Sequence, residues 1–459
     1  MAIRSRTIDM TEGPILRNVL LFALPLVLGN VLQQLYTTVD TLVIGAYCGT
    51  VSLAAVGTSA QPVEVVLCIF LGIGTGVSIL ISQSVGAGNR QRAVALSRTA
   101  CAFVWICGAA VGLLGILVAP LILRLMQVPE DAMDLAVTYV RIVLAGSLGN
   151  IGYNMNAGIL RGMGNSTASL LFLLVSCAVN VVLDLALVAG LGMDVTGAAL
   201  ATCASVYISC VVSIVYIRKH YPELDYPVFT LKASAEQLRA ILRIGLPIGL
   251  NHSLYSLGHM ALQTLANSQG SLFMAGQAVA GRITGVANIA ISGLSSAATT
   301  FSGQNYGAGR YDRLRRGRWR IPLAAGAITL AGGLFFLMLR TPLMRIFSRD
   351  ETVLMYADRY VSVVLLGQWM FAVFNSMISM VNGVGMVRYT TVVNLLMLWA
   401  VRVPSAWMIH TWFDGTWIML CFPISFGFGM CCMIGFYAFS RKWRAIIQKT
   451  GDASPVSPS

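Results

Sequence analysis

Asp40 and Asp184 are the residues in this sequence best placed to do chemistry, because each sits in a run of apolar side chains long enough to cross a membrane. Asp40 lies in LFALPLVLGNVLQQLYTTVDTLVIG, which ends at Gly45, and Asp184 closes NVVLD. Insertion scales put an Asp at the middle of a membrane-spanning helix at about 2.5–3.5 kcal/mol, so such a group faces a protein interior or a watery cavity. Two carboxylates among neutral oxygens and amides in a low-dielectric cavity can share a proton, because like charges oppose simultaneous ionisation. They can equally hold a hard cation through oxygen ligands. Either event switches the cavity between a charged and a neutralised form. The neutral candidates are Asn180, one helical turn before Asp184, with Thr202, Tyr139 and Asn154. Glu64, in the next apolar run, is a third acid that either joins the cavity or pairs with a polar neighbour. Pro25, upstream of Asp40 on the same run, removes a backbone donor and kinks a helix, which at membrane depth requires neighbours or water to satisfy the freed carbonyl. It is the candidate hinge.

Positioning these groups falls to helices. Of the 459 residues 57% are hydrophobic and 11% charged, with mean hydropathy +0.76, against roughly 25% charged in soluble domains. The chain is therefore read as an integral membrane protein. Apolar runs of about 20 residues, each enough for a hydrocarbon core about 30 Å thick, begin near Ile15, Leu53, Ala100, Leu135, Ala168, Gly197, Ala240, Met274, Ile321, Tyr356, Thr390 and Thr416. The expected fold class is all-α, with twelve transmembrane helices. The residues before Ile15 mix Arg4 and Arg6 with Asp9 and Glu12 and lead directly into the first span, so no cleavable signal is expected.

A net charge of +13 would suit a nucleic-acid binder, but 23 of the 31 basic residues fall in the tails and in alternate short loops, which is how a multispanning protein encodes its orientation. That predicts a cell-membrane protein with both termini cytoplasmic and no nucleic-acid partner. The ten Cys show no CxxC and only one adjacent pair, Cys431–Cys432, so neither a disulfide framework nor a zinc site is indicated. His252 and His259 share a helix face without a Cys, Asp or Glu to complete a metal site, and Arg282 and Arg402, in or near spans, are expected to meet backbone carbonyls or snorkel to an interface.

The chain repeats itself. Ala23-Leu24-Pro25 recurs as Gly245-Leu246-Pro247, and the Gly-rich loop Gln83–Gly88 recurs as Gln304–Gly309; Tyr139 meets Tyr360 and Asn154 meets Asn375. Each half holds an even number of spans, so both copies insert the same way, as two six-helix bundles related by an internal parallel repeat. Such repeats place transport sites between or within their halves. The expected domains are an N-lobe over 1–217, a cytoplasmic linker over 218–239, a C-lobe over 240–440 and a cytoplasmic tail over 441–459. The GAGN and GAGR loops follow no strand and lack the P-loop pattern, so they are expected to be tight turns, and the basic runs after them to be orientation signals that touch anionic headgroups. Counting from the outer ends of their spans at about 1.5 Å per residue, Asp40, Asp184, Tyr139 and Thr202 fall in one layer roughly 7 Å deep, with Asn154 deeper. A lone Asn or Tyr is by itself more often an interhelical contact; the paired acids are the functional signal. Asp184 becomes Ser405 in the second half, and the Asp40 position becomes Ala261, so the carboxylates belong to one lobe.

LPLVLGNVLQQLYTTVDTLVIGAYCGTVSLAAVG, the paired Q-x-x-G-A-G loops, RGMGN and NVVLD together resemble the multidrug and toxin extrusion (MATE) family of cation-coupled exporters, in its prokaryotic DinF-like branch, over residues 10–440. The resemblance implies that Asp40, Asn180, Asp184 and Thr202 form a cation site for H⁺ or Na⁺, with Tyr139 and Asn154 in the same cavity. The family's other main branch uses carboxylates on the seventh and tenth helices; this sequence has none on the seventh and only Asp358, near the outer edge, on the tenth.

The leading expectation is an antiporter, a monomer without a cofactor, that exchanges the ion for amphipathic, cationic drugs or metabolites by alternating access in contact with membrane lipids. A flippase for lipid-linked head groups is the alternative; it calls for a broad basic cavity, and the intramembrane basic residues here are few. An intramembrane enzyme would need a nucleophile–base or metal set, for which only His252 and His259 stand as candidates.

Overall fold

A computed structural model describes residues 7–126 and 128–448. Arg4 and Arg6, and the tail from residue 449 onward, lie outside the described residues. The chain is a succession of helices: α1 (Ile15–Tyr47), α2 (Gly49–Gly86), α3 (Arg90–Leu125), α4 (Glu130–Ala145), α5 (Ser147–Gly162), α6 (Ser166–Asp184), α7 (Asp194–His220), α8 (Ala235–Asn267) and α9 (Ser271–Gly307). They continue as α10 (Tyr311–Met338), a short α11 (Arg340–Phe347), α12 (Glu351–Gly383), α13 (Val387–Leu395), α14 (Val403–Trp412), α15 (Cys421–Phe439) and α16 (Arg441–Ile447). Among the described residues nine segments are long and apolar enough to span by composition alone, and α4 with α5 makes a tenth span, bent by 43°. The remaining long helices, α8 and α9, bring the count to the expected twelve. A stripe of exposed side chains down α3, Leu113, Leu117, Leu121 and Leu125, recurs every fourth residue. Such a one-faced apolar stripe, costly in water, is what a lipid-facing helix surface presents.

Two compact units result, and their boundaries differ from the expected lobes at 1–217 and 240–440. Of the described residues, the first holds those up to Ile8 and Leu28–His252; the second holds Asp9–Val27 and those from Ser253 on. Each unit therefore contains the opening turns of the other repeat's first helix. Glycines give the packing reason. Within the first unit, a Cβ on Gly72 of α2 would stand 2.1 Å from the Gly249 nitrogen of α8, and one on Gly245 2.6 Å from the Ile73 Cα. Within the second, a Cβ on Gly293 of α9 would meet Val27 of α1 at 2.5 Å. Gly72 and Gly293 are repeat-related, and bare glycine surfaces let helix backbones approach closely where no hydrophobic drive distinguishes lipid from protein. Hydropathy marks α8 from its first apolar residue and says nothing of which bundle receives it.

The expected linker is pinned along the first unit. The Tyr226 hydroxyl donates to Asn156 Oδ1 at 2.6 Å, the Trp105 indole donates to the Val228 carbonyl at 3.1 Å, and Arg98 pairs with Asp225. The Gly-rich loops are tight turns that need a left-handed residue at the same repeat position, met by Gly88 (φ 64°) and Gly309 (φ 67°). Asn89 then caps α3 by accepting from the Arg92 amide at 2.9 Å.

Candidate cation-coupling site

Asp184 is the last residue of α6, and a single π-helical turn, Leu185–Gly190, follows it; widened turns of this kind recur at functional sites. Its side chain is fully buried, as is that of Asn180 one turn earlier. Across from α6, α1 brings Asp40 so close that the two carboxyl groups lie within hydrogen-bonding reach of each other. As carboxylates both are acceptors only. The consequence is visible in the atoms: among the described residues both Asp184 oxygens and Asp40 Oδ1 are buried without a hydrogen-bond donor, as is Asn180 Oδ1. None of the ion pairs among the described residues involves either acid.

Thr202 of α7 completes the ring. Asn180 Nδ2 donates to its hydroxyl at 3.5 Å, the long limit of a hydrogen bond. The Tyr36 hydroxyl, one turn before Asp40, lies within hydrogen-bonding reach of the same Thr202 oxygen. Tyr139 of α4 is buried with its phenol in the electrostatic field of Asp40, Tyr36 and Asp184. Four elements of the first unit thus bring together carboxylate, amide and hydroxyl oxygens, and among the described residues no cationic side chain pairs with the acids. Two unit charges about 4 Å apart repel by roughly 4 kcal/mol at an effective dielectric near 20, a repulsion that a shared proton or a hard cation between two carboxylates relieves.

Among the described residues neither Asn154 nor Glu64 is hydrogen-bonded to a member of this cluster. Asn154 shares a span with Tyr139 but lies beyond the bend, on α5, where its amide donates to Asn150 O at 2.9 Å and Asn150 Oδ1 at 3.0 Å. Glu64 is exposed on α2, next to Cys68. Pro25 lies inside a continuous α1, two residues before Val27, where the helix passes from the second unit to the first. Tyr36 was not singled out from the sequence; its signal is the one-turn spacing to Asp40, which puts both on one helix face.

The second unit contains no counterpart acid pair. In the span related to Asp184, a second π-helical segment, Leu396–Arg402, ends on Arg402, which is fully buried. The sequence leads to the expectation that Arg402 meets backbone carbonyls or snorkels to an interface; instead it is buried among side chains of the second unit. Its Nε donates to Ser425 Oγ and its Nη1 to the Tyr255 hydroxyl, both at 2.8 Å, and the guanidinium lies 5.0–5.5 Å from the rings of Phe426, Phe422 and Tyr255. Aromatic faces attract a desolvated cation and here stand in for a carboxylate. Arg282 stays exposed, 5.7 Å over the Phe347 ring.

The MatE family model matches residues 25–186 and again residues 247–408; the two matches start at Pro25 and Pro247 and so repeat the internal duplication. "Probable multidrug resistance protein YoeA" of Bacillus subtilis (strain 168) is 28% identical over 443 residues, covering 94% of this chain and 95% of that protein. "DNA damage-inducible protein F" of Escherichia coli (strain K12) is 27% identical over 358 residues, covering 76% of this chain and 77% of that protein. Among solved structures, "Outward-facing conformation of a multidrug resistance MATE family transporter of the MOP superfamily" superposes with a TM-score of 0.89 at 22% identity, covering 97% of this chain and 99% of that one.

Proposed function

This chain belongs to the MatE family, and on that premise we propose that it exports amphipathic, cationic drugs or metabolites in exchange for an inward-moving H⁺ or Na⁺, by alternating access. It is a multi-pass membrane transporter and not an enzyme. The observation that carries the coupling is the Asp40–Asp184 pair, a half-buried and a fully buried acid in mutual reach, with both Asp184 oxygens and Asp40 Oδ1 lacking a donor among the described residues. A proton satisfies one acid by turning it into a donor to the other. A sodium ion is held by the two carboxylates with the Asn180 carbonyl and Thr202 hydroxyl oxygens, all hard ligands.

Coupling follows from differential affinity. A ligand shifts a conformational equilibrium only by binding one state more tightly than the other. Entry of the cation removes the repulsion between the acids and lets α1 and α6 close on each other; its loss restores the charge and drives them apart. Because the site lies on α1 beyond Pro25, closure bends that helix at the proline, with Tyr36 and Tyr139 following the acids. The expected setting is the cell membrane, with both termini cytoplasmic, the protein a monomer and no cofactor beyond the coupling ion. Reporter fusions test the orientation: an external signal from the Arg313 loop overturns it. The transport reading is tested by expressing the chain in cells stripped of their own efflux pumps and measuring retention of a fluorescent lipophilic cation. Lower retention than in cells carrying the empty vector is the predicted result, and equal retention across a panel of such cations contradicts it.

A further inference from the structure

We propose that the second unit carries a specific site for the phosphate of an anionic phospholipid, in the cleft between the start of α1 and the start of α10. A cavity of ≈ 460 Å³ lies there, lined by the Thr11–Ile15 segment and by Arg310, Arg313, Arg316 and Arg320. Glu12 and Asp312 also line it, so the lining carries a net charge of +2. Arg313 builds the floor: its Nη1 donates to Gly13 O at 2.8 Å, its Nη2 to Glu12 O at 3.0 Å and Met10 O at 3.1 Å, and its Nε to Asn305 Oδ1 at 3.1 Å. Those bonds fix the N-terminal segment against α10 and use up that guanidinium. Arg310, Arg316 and Arg320 are exposed, and among the described residues none of them is in an ion pair.

The repeat-related cavity in the first unit shows what a self-neutralised version looks like. It measures ≈ 550 Å³ and is lined by Arg90, Arg98 and Lys232 together with Glu223 and Asp225. There the linker supplies the counter-charge: Asp225 pairs with Arg98, and Arg90 donates to the Glu223 carbonyl at 3.1 Å. Among the described residues, no segment of the second unit does this for Arg310, Arg316 and Arg320. Its cavity instead faces the first turn of α1, which has no acidic residue to offset the positive end of the helix. An anion with several acceptor oxygens completes the set, because guanidinium groups pair with phosphate through two parallel hydrogen bonds.

Depth makes the anion a lipid. The apolar run of α1 begins at Ile15 and that of α10 at Ile321, directly beyond the cavity, which puts the arginines at headgroup level. Past that level both helices expose apolar side chains, Leu16 and Leu20 on α1 and Leu323 on α10, as a surface for acyl chains. A free phosphate would use only the charged part.

The test uses the purified full chain, extracted from vesicles of equal parts phosphatidylglycerol and phosphatidylcholine, with retained lipid counted by native mass spectrometry. Wild type retains phosphatidylglycerol selectively. The triple variant Arg310→Gln, Arg316→Gln, Arg320→Gln loses affinity on the order of a hundredfold, each arginine contributing about fivefold. Removal of three charges elsewhere, Arg218→Gln, Lys219→Gln, Arg239→Gln, leaves retention unchanged, and Lys in place of the three arginines keeps only part of it, since an ammonium keeps the charge but not the paired hydrogen bonds. If the triple variant does not fold, Arg316→Gln alone carries the test, with a loss of about fivefold. Equal retention by wild type and the glutamine variants overturns the site. Displacement of the lipid by excess inorganic phosphate overturns its assignment to phospholipid.

Discussion

Asp184→Asn keeps the shape of a fully buried side chain and removes one of two facing charges. Two effects follow with opposite signs. Stability holds or rises, because an unpaired buried carboxylate is replaced by an amide whose Nδ2 can donate to Asp40, ending the shortage of donors around the pair. Coupling falls, because with a single acid there is no repulsion for the cation to relieve. At roughly 4 kcal/mol for that repulsion, the ion loses about a thousandfold of its leverage on the conformational equilibrium, most of the approximately 10⁴-fold preference needed to move a two-state transporter from 1:99 to 99:1. Gradient-driven efflux in energised everted vesicles is therefore expected to fall to background in Asp184→Asn and Asp40→Asn, while both variants elute as monodisperse peaks with thermal midpoints at or above wild type. Wild-type efflux rates in both variants would refute the reasoning. So would a collapse in thermal stability, which would make the pair a structural element.

The two helix prolines should differ in their consequences: Pro25→Ala is expected to change the ion dependence of efflux more than Pro247→Ala, since only α1 joins its proline to an acid of the cluster, and equal effects would spread the coupling over both units. Tyr36→Phe removes the hydroxyl that reaches Thr202, and at about 1 kcal/mol for a hydrogen bond it should weaken the apparent ion affinity roughly fivefold; an unchanged affinity would exclude Tyr36 from the site. Gly249→Ala places a Cβ 2.4 Å from the Ile69 carbonyl oxygen on the α2 backbone, so overpacking of about 1–3 kcal/mol should lower the thermal midpoint. Gly332→Ala, with nothing within 4 Å of the added atom, should not.

The spans were legible because hydrocarbon demands long apolar runs, and the repeat because its turns need glycine at fixed positions such as Gly88 and Gly309. The acids could be placed at one depth by counting residues along helices, and the structure sets Asp40 beside Asp184 with Thr202 and Asn180. Asn154 illustrates where counting stops. It shares a span with Tyr139 and is read as lying deeper, but the 43° bend between α4 and α5 follows from no residue pattern, nor does the bonding of its amide back to Asn150. The exchange of first half-helices between units was equally invisible, since hydropathy records that α1 and α8 are buried in something apolar and not in which bundle. Arg402 lay beyond the sequence for a related reason: its hydroxyl and aromatic partners come from two other helices, Tyr255 from α8, 147 positions away, and Phe422, Ser425 and Phe426 from α15.

The central claim is that a cation entering the Asp40–Asp184 cluster powers export. Proteoliposomes containing the purified protein, preloaded with a fluorescent lipophilic cation and subjected to a proton gradient or a sodium gradient imposed separately, test it most directly. Release driven by one of these gradients, absent when neither is imposed and lost in the Asp40→Asn, Asp184→Asn double variant, is the predicted result. Gradient-driven release that survives in the double variant would contradict it.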